Sequence, residues 1–233
     1  MEGHILIPVN YTRDNGGFAG ATERIVSETA LEIRIYGEHF STAMILATME
    51  KEFVVGHLFS QGVITSADDL VSIHINQDVA EVTLSKDIKH KISDAQVQSD
   101  LIVQKEDVFK CVREILKSDI FVETEAVHSA GLFLNGKETV GIAEDLGRHH
   151  ALDKVIGCGL LRNIDFSQTL AASTGRQPTE MINKCRNAGI PIIATKGVPT
   201  TLAIELAEKA GITIAGLVRG DTMIVYSNPA RVR

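Results

Sequence analysis

Among the residues able to do chemistry, the densest set lies in the run 141–157, GIAEDLGRHHALDKVIG. Two carboxylates (Glu144, Asp145), Gly147, Arg148, two histidines (His149, His150) and an Asp153–Lys154 pair share that short segment. Its cations can grip an anion. A carboxylate such as Glu144 or Asp145 can accept hydrogen bonds from a nucleobase amide and amine of the kind guanine offers. The same residues also suit a plain packing helix. Acidic groups favour a helix start, Asp145 is a natural N-cap, and Leu152, Val155, Ile156 and Leu160 form an apolar face. On that reading Asp153–Lys154 is a surface pair worth under about 1 kcal/mol.

Three more segments repeat one pairing of glycine with a cation: Ser173-Thr174-Gly175-Arg176, Thr195-Lys196-Gly197-Val198 and Leu217-Val218-Arg219-Gly220-Asp221. Glycine lets backbone come close to a ligand, and a cation beside a helix N-terminus favours an anion. Each segment follows an apolar, strand-like run. In sheets of alternating strands and helices, ligands bind beyond the carboxyl ends of the strands. Three such ends in register predict a phosphate or pyrophosphate site, which Arg148 can join. The chain is acidic, with net charge −7 at pH 7, so these cations are a local feature. A general nucleic-acid or anionic-membrane binder is not expected.

The three cysteines, Cys111, Cys158 and Cys185, are far apart, form no CxxC and have no histidine at metal-ligand spacing. No metal site is expected. All three fall in helix-forming stretches beside apolar neighbours, where a thiol packs as a small hydrophobe.

These groups need a frame. A chain of 233 residues, 44% hydrophobic and 23% charged, has a globular composition with room for one large or two modest domains. No apolar run reaches the roughly 18–20 residues of a membrane span, and the start lacks the order of an export signal. The cytoplasm is therefore the expected location. Residues 1–28 read as a loose arm or an added edge strand. Residues 29–104 read as a small α+β domain and connector. It has a strand over 31–36, a hairpin return over 40–46, a helix capped by Thr48 and running to Leu58, strands over 70–75 and 80–84, and a polar connector over 85–104. His57, near that helix end, reads as a surface residue. Residues 105–233 hold a helix over 105–118, a hairpin about Asn135-Gly136, and the helix of the opening segment. Strands over 169–173, 190–195, 212–217 and 223–226 follow, with helices opening at Pro178 and Pro199 and stopped by glycine. The alternation predicts an α/β fold with parallel pairing and right-handed crossovers.

The stretches HSAGLFLNGKETVGIAEDLGRHHALDKVIG (128–157), ASTGR (172–176), PTTLAIELAEKAG (199–211) and GLVRGDTMIVYSNPARV (216–232) together resemble the FdhD family, the formate dehydrogenase accessory proteins. LEIRIYGE and EFVVGHLFSQGVI are similar to its N-terminal part, so the resemblance spans roughly 30–233. It implies a C-terminal three-layer domain like cytidine deaminase, with a mixed, mostly parallel sheet. It further implies a dimeric, cytoplasmic sulfurtransferase that binds the bis-molybdopterin guanine dinucleotide form of the molybdenum cofactor, with GDP as a surrogate ligand. A cysteine desulfurase and formate dehydrogenase are the implied partners. Carried over by motif, the cofactor site comprises His128, Glu144, Asp145, Gly147, Arg148, His149, Asp153, Lys154, Ser173, Arg176, Lys196, Thr200 and Thr201, with Leu217, Val218, Arg219, Gly220, Asp221 and Thr222. His128, which opens the family's HxAG motif, also suits a buried histidine bonded to backbone.

Two departures matter. Deaminases hold zinc with His-x-Glu and PCxxC at two helix starts. This chain has Ala143-Glu144-Asp145 and Gln177-Pro178-Thr179-Glu180 there, so deaminase chemistry is not expected. The family's reactive cysteines form a CxxC-like loop shortly before HxAG, whereas residues 85–127 of this chain hold Cys111 alone. A sulfur carrier needs an accessible thiolate. Two functions stay open: an accessory sulfurtransferase that aids cofactor sulfuration and insertion, or a cofactor-binding chaperone or regulator without sulfur transfer.

Overall fold

The computed structural model describes residues 5–14, 17–85 and 96–233. The part of the expected connector over 86–95 lies outside them. Strands β1 (Leu6–Asp14) and β2 (Phe18–Val26) pair antiparallel as a sheet of their own, so the expected arm is a ribbon. Its residues are mostly exposed, and an ion pair of 3.3 Å between Arg24 and Glu123 ties it to the body.

Next come β3 (Thr29–Ile35), β4 (Glu38–Ile45), α1 (Glu50–Ser60), β5 (Leu70–Asn76) and β6 (Val79–Leu84). The strands form a four-stranded sheet in the order β4-β3-β6-β5. Alternation explains its facing: Leu31, Ile33 and Ile35 are buried, while Glu32 and Arg34 turn outward and pair with each other at 2.8 Å. Thr48 is not the cap of α1. Met49 holds the N-cap position in the left-handed region, and the Thr48 hydroxyl instead accepts from Lys154 at 3.2 Å.

The expected helix over 105–118 is α2 (Lys105–Ile115), and a short helix that was not expected, α3 (Asp119–Thr124), follows it. After them come β7 (His128–Leu134), β8 (Glu138–Asp145), α4 (Arg148–Leu161), β9 (Thr169–Ser173) and α5 (Thr179–Ala188). The chain finishes with β10 (Ile192–Thr195), α6 (Thr201–Ala210), β11 (Thr213–Arg219) and β12 (Thr222–Ser227). Asn135 and Gly136 turn the β7–β8 hairpin with φ of 54° and 67°, as the dipeptide predicts. Pro178 is the N-cap of α5, and Pro199 precedes the Thr200 cap of α6. Both prolines therefore stand just outside the first turn. Gly189 and Gly211 end these helices in the left-handed conformation.

The six-stranded sheet has the order β12-β11-β10-β9-β7-β8. Strands β9, β10 and β11 pair parallel, while β7–β9, β7–β8 and β11–β12 pair antiparallel. Thus β8 to β11 run one way and β7 and β12 the other, in a mixed α/β architecture. Residue alternation splits its two faces. Leu132, Ala171, Ile193 and Ile214 join the core under α4, α5 and α6, while Phe133, Leu170, Ile192 and Ala215 pack with α2. The four-stranded sheet packs on that same larger core, so α1 and α4 lie between the two sheets. They cross at two glycines. A Cβ on Gly56 would stand 1.8 Å from the Asp153 carbonyl oxygen, and one on Gly157 would stand 1.9 Å from that of Glu52. No helix among the described residues is long and apolar enough to cross a membrane.

Candidate ligand-binding edge

The parallel strands β9, β10 and β11 are neighbours, so the three glycine–cation segments leave the same edge of the sheet on adjacent strands. They are knitted through backbone. Lys196 N donates to Ser173 O at 3.2 Å, Leu217 N to Gly197 O at 2.8 Å, and Gln177 N to Val198 O at 2.9 Å. Two side chains complete the web: Thr195 Oγ1 donates to Gly175 O at 2.5 Å and Ser173 Oγ accepts from Gly175 N at 3.2 Å. Glycine is required by close approach, since a Cβ on Gly197 would lie 2.8 Å from Gly175 O. A Cβ on Gly175 would lie 2.7 Å from Arg148 Cδ. Arg176, Lys196 and Arg219 are exposed above this packed floor, as are Thr200, Thr201, Gly220, Asp221 and Thr222. Val218 is buried beneath them. Leu217 sits at φ 50° within an irregular stretch of the β11–β12 register, a strained position of the kind found at functional sites.

Arg148 begins α4 and packs over Gly175, which brings it to this edge. Its Nε is buried and has no hydrogen-bond partner in the described structure. An unpaired buried guanidinium nitrogen is costly, and an anion would satisfy it. His128 and His149 flank it. Both imidazoles are held below their ordinary pKa, by burial first and by the Arg148 charge second. His128 Nδ1 lies 3.2 Å from Thr174 Oγ1, so its contact is to a side chain, not to backbone.

The rest of the 141–157 run is placed differently. Gly147, not Asp145, is the N-cap of α4, and the helix has no acidic residue in its first turn. Glu144 turns away to cap α3, accepting from Phe121 N at 2.6 Å. Asp145 is fully buried. It accepts from Gly147 N at 3.1 Å and Leu46 N at 3.2 Å, and contacts Lys154 Nζ at 2.7 Å. Burial alone would raise its carboxyl, but His150 and Lys154 overcome that and hold it below the usual range. Lys154, also fully buried, reaches Leu46 O and Glu144 O at 3.0 Å each, pinning the end of β8 to the β4–α1 connection.

Asp153 and Lys154 are therefore not a surface pair. They are adjacent in sequence but serve two separate buried ion pairs. Asp153 meets Lys184 Nζ at 2.7 Å through both oxygens, accepts from Ser60 Oγ at 2.7 Å, and lies 3.1 Å from His57 Nδ1. His57 is thus no surface residue, its side chain being 15% exposed. This cluster floors a polar cleft of ≈ 440 Å³ between α1, α4 and α5, which His149, Glu180, Asn183 and Asn187 also line. Sequence reasoning passed over His57, Lys184 and Glu180. Lys184 and Asp153 are far apart in the chain, and no local spacing advertises their pairing.

All three thiols lie within helices. Burial pushes Cys111 and Cys185 up to about 12 and Cys158 up to about 11. Cys111 Sγ is further occupied with Gly136 O at 3.2 Å. Among the described residues no group of three or more His, Cys, Asp or Glu side chains could hold a metal ion.

The family model described as FdhD/NarQ family matches residues 26–97 and 85–233. Sulfur carrier protein FdhD of Methanothermobacter thermautotrophicus is 33% identical over 231 residues, covering 90% of this chain and 92% of that protein. The protein of the same name from Sulfurisphaera tokodaii is 36% identical over 232 residues, covering 89% and 91%. A crystal structure from Desulfotalea psychrophila, assigned as a formate dehydrogenase accessory protein, superposes with a TM-score of 0.87 at 29% identity. It covers 98% of this chain and 100% of that one.

Proposed function

The chain belongs to the FdhD/NarQ family, and from that premise we propose that it is a formate dehydrogenase accessory protein that holds the guanine-dinucleotide molybdenum cofactor as cargo at the glycine–cation edge. The observation that carries the reading is the buried, unpartnered Arg148 Nε beside three adjacent strand ends that each pair a glycine with an exposed cation. That donor set fits a pyrophosphate: the cations supply charge, and the glycines let Arg148 and the neighbouring turns pack closely at one edge. Arg148, Arg176, Lys196 and Arg219 would hold the phosphates; Ser173, expected in the site, is instead fully buried beneath them, its Oγ accepting from Gly175 N. Metal and dithiolene chemistry belongs to the cargo after delivery. This chain's residues bind it and orient it. Association with formate dehydrogenase and with a second copy of the chain completes the proposal.

The thiols bear on whether sulfur passes through the chain. With pKa values near 11–12 and helical burial, none supplies a ready thiolate at neutral pH. This favours a holder of the cofactor over a carrier of sulfur. Calorimetry with GDP tests the first part. Binding should weaken about tenfold or more in Arg148→Ala or Arg219→Ala, and absence of GDP affinity in the parent protein removes the proposal. Intact-mass analysis after incubation with a cysteine desulfurase and cysteine tests the second. The folded protein should stay unmodified, and a gain of one sulfur atom on Cys158 would restore the carrier reading.

A further inference from the structure

Cargo held at the glycine–cation edge has to leave it, and the protein that receives it must meet the face where that edge opens. Strand β12 borders this opening. It is the outermost strand of the six-stranded sheet, with β11 as its neighbour on the inner side. Its first residue, Thr222, directly follows the turn that carries Arg219, Gly220 and Asp221. An outermost strand offers unpaired N–H and C=O groups, and proteins usually guard such strands with charged residues or proline. β12 reads Thr-Met-Ile-Val-Tyr-Ser and has neither. The opposite outermost strand, β8, carries Glu138, Glu144 and Asp145. Apolar side chains also stand exposed beside β12. Ile224 is 48% exposed, Leu202 in the first turn of α6 is 59% exposed, and Val198, between β10 and α6, is 39% exposed. Ile224 pairs with Gly216 and shares its face with Tyr226, which packs against the core beneath α6. Leu202 and Ile224 therefore lie on the same side of the sheet, both at its cation edge.

Charge points the same way. Lys196 and Arg219 are exposed at this corner of a chain whose net charge is −7. Once cargo phosphates leave them, these cations favour carboxylates on the receiving surface. We infer that β12, with Leu202 and Val198 beside it, is the docking surface for the protein that receives the cargo. This rests on the cargo-holding reading above and goes beyond it by placing the recipient. The recipient presents an extended segment that adds to the sheet as a strand outside β12. Main-chain hydrogen bonds supply affinity in that mode, and alternate side chains supply selection. The segment is apolar at alternate positions, which cover Ile224 and Leu202. It carries a carboxylate at the end that meets Arg219 and Lys196. A recipient bound there has its own surface next to the cargo it takes.

The test measures binding of the full chain to the cofactor-free formate dehydrogenase of the same organism by biolayer interferometry, in the parent and in Ile224→Lys and Leu202→Lys. Both positions are exposed, so both variants should fold, and an unchanged GDP affinity and urea midpoint check that they do. Val71→Lys, at a 64% exposed position of β5 in the other sheet, is the control. Expected is a loss of affinity of about 10-fold or more in Ile224→Lys and in Leu202→Lys, as for side chains central to an interface. Val71→Lys should bind like the parent. Amide exchange along β12 should slow in the complex, as its outward N–H groups become bonded. Parent-like binding by both edge variants, an equal loss in Val71→Lys, or unchanged exchange along β12 would overturn the assignment. So would sedimentation showing a dimeric parent and a monomeric Ile224→Lys, because a second copy would then occupy β12. If the parent binds GDP but not the enzyme, the docking surface fails and the cargo edge stands. If it binds the enzyme but not GDP, the cargo-holding reading fails and the inference fails with it.

Discussion

Lys184→Met removes one ammonium from the α1–α4–α5 junction while keeping a long, unbranched side chain in its place. In the parent, Nζ lies 2.7 Å from both Asp153 oxygens and 3.1 Å from Ser60 Oγ. The Lys184 side chain is 8% exposed and that of Asp153 is 0% exposed, so water cannot take over. At an effective dielectric of about 20 the gross attraction at this distance is about 6 kcal/mol, most of it offset by desolvating two ions. Removing one partner has a different cost, because it strands a buried carboxylate, and this runs to about 3–5 kcal/mol. Ser60 Oγ and His57 Nδ1 remain at 2.7 and 3.1 Å, so the lower end, ~3 kcal/mol, is expected. Urea denaturation at pH 7 reads it directly. Asp153→Leu should cost a similar amount, and the double variant should be less destabilised than the sum of the singles by about 2 kcal/mol or more. The pH dependence follows from the carboxyl. Burial would raise its pKa, but Lys184 and His57 hold it well below the usual range. A depressed folded pKa gives stability that is complete above the unfolded value near ~4 and is lost as pH falls through the folded one. The gap between parent and Lys184→Met should thus be steady from pH 5 to 8 and narrow below about pH 4. A loss under about 1 kcal/mol at pH 7 would refute the buried-pair reasoning.

Other consequences can be checked with the same protein. Gly56→Ala drives a Cβ to 1.8 Å from the Asp153 carbonyl oxygen, so α1 and α4 must separate. Its urea midpoint should drop by at least the upper part of the usual overpacking cost of about 1–3 kcal/mol, and a neutral result would mean the crossing is looser than described. His128 and His149 are held below their ordinary values in the folded state, so the unfolded chain takes up their protons first. Stability should therefore be full above about pH 6.5 and decline toward pH 5, with a shallower decline in Arg148→Ala; equal slopes would contradict the Arg148 contribution. Iodoacetamide at pH 8 should leave Cys111 and Cys185 unlabelled in the native protein and modify both in urea. Rapid native labelling would show these thiols to be accessible.

Much of the frame was legible because it rests on local rules. Alternation marked β3, Asn135-Gly136 marked the β7–β8 turn, and glycine stops marked the ends of α5 and α6. The three glycine–cation segments could be read as one edge because strands alternating with helices force their carboxyl ends together. What failed to show was long-range pairing. Asp153 next to Lys154 looks like a surface couple in the sequence. In the fold, one contacts Lys184 and the other Asp145, and both are buried. Thr48 looks like a helix cap, yet its hydroxyl is taken by Lys154 across the core. His57 looked like a helix-end surface residue until α4 brought Asp153 beneath it. Charges that neutralise one another over large sequence separations leave no periodicity to read.

The central claim is that a phosphate-bearing ligand sits at the glycine–cation edge, and crystals grown with GDP test it most directly. The account predicts phosphate density against Arg148 and the Gly175 and Gly197 turns, with Arg176, Lys196 or Arg219 in contact. Ordered GDP seated elsewhere, with Arg148 Nε still unpaired, would contradict it.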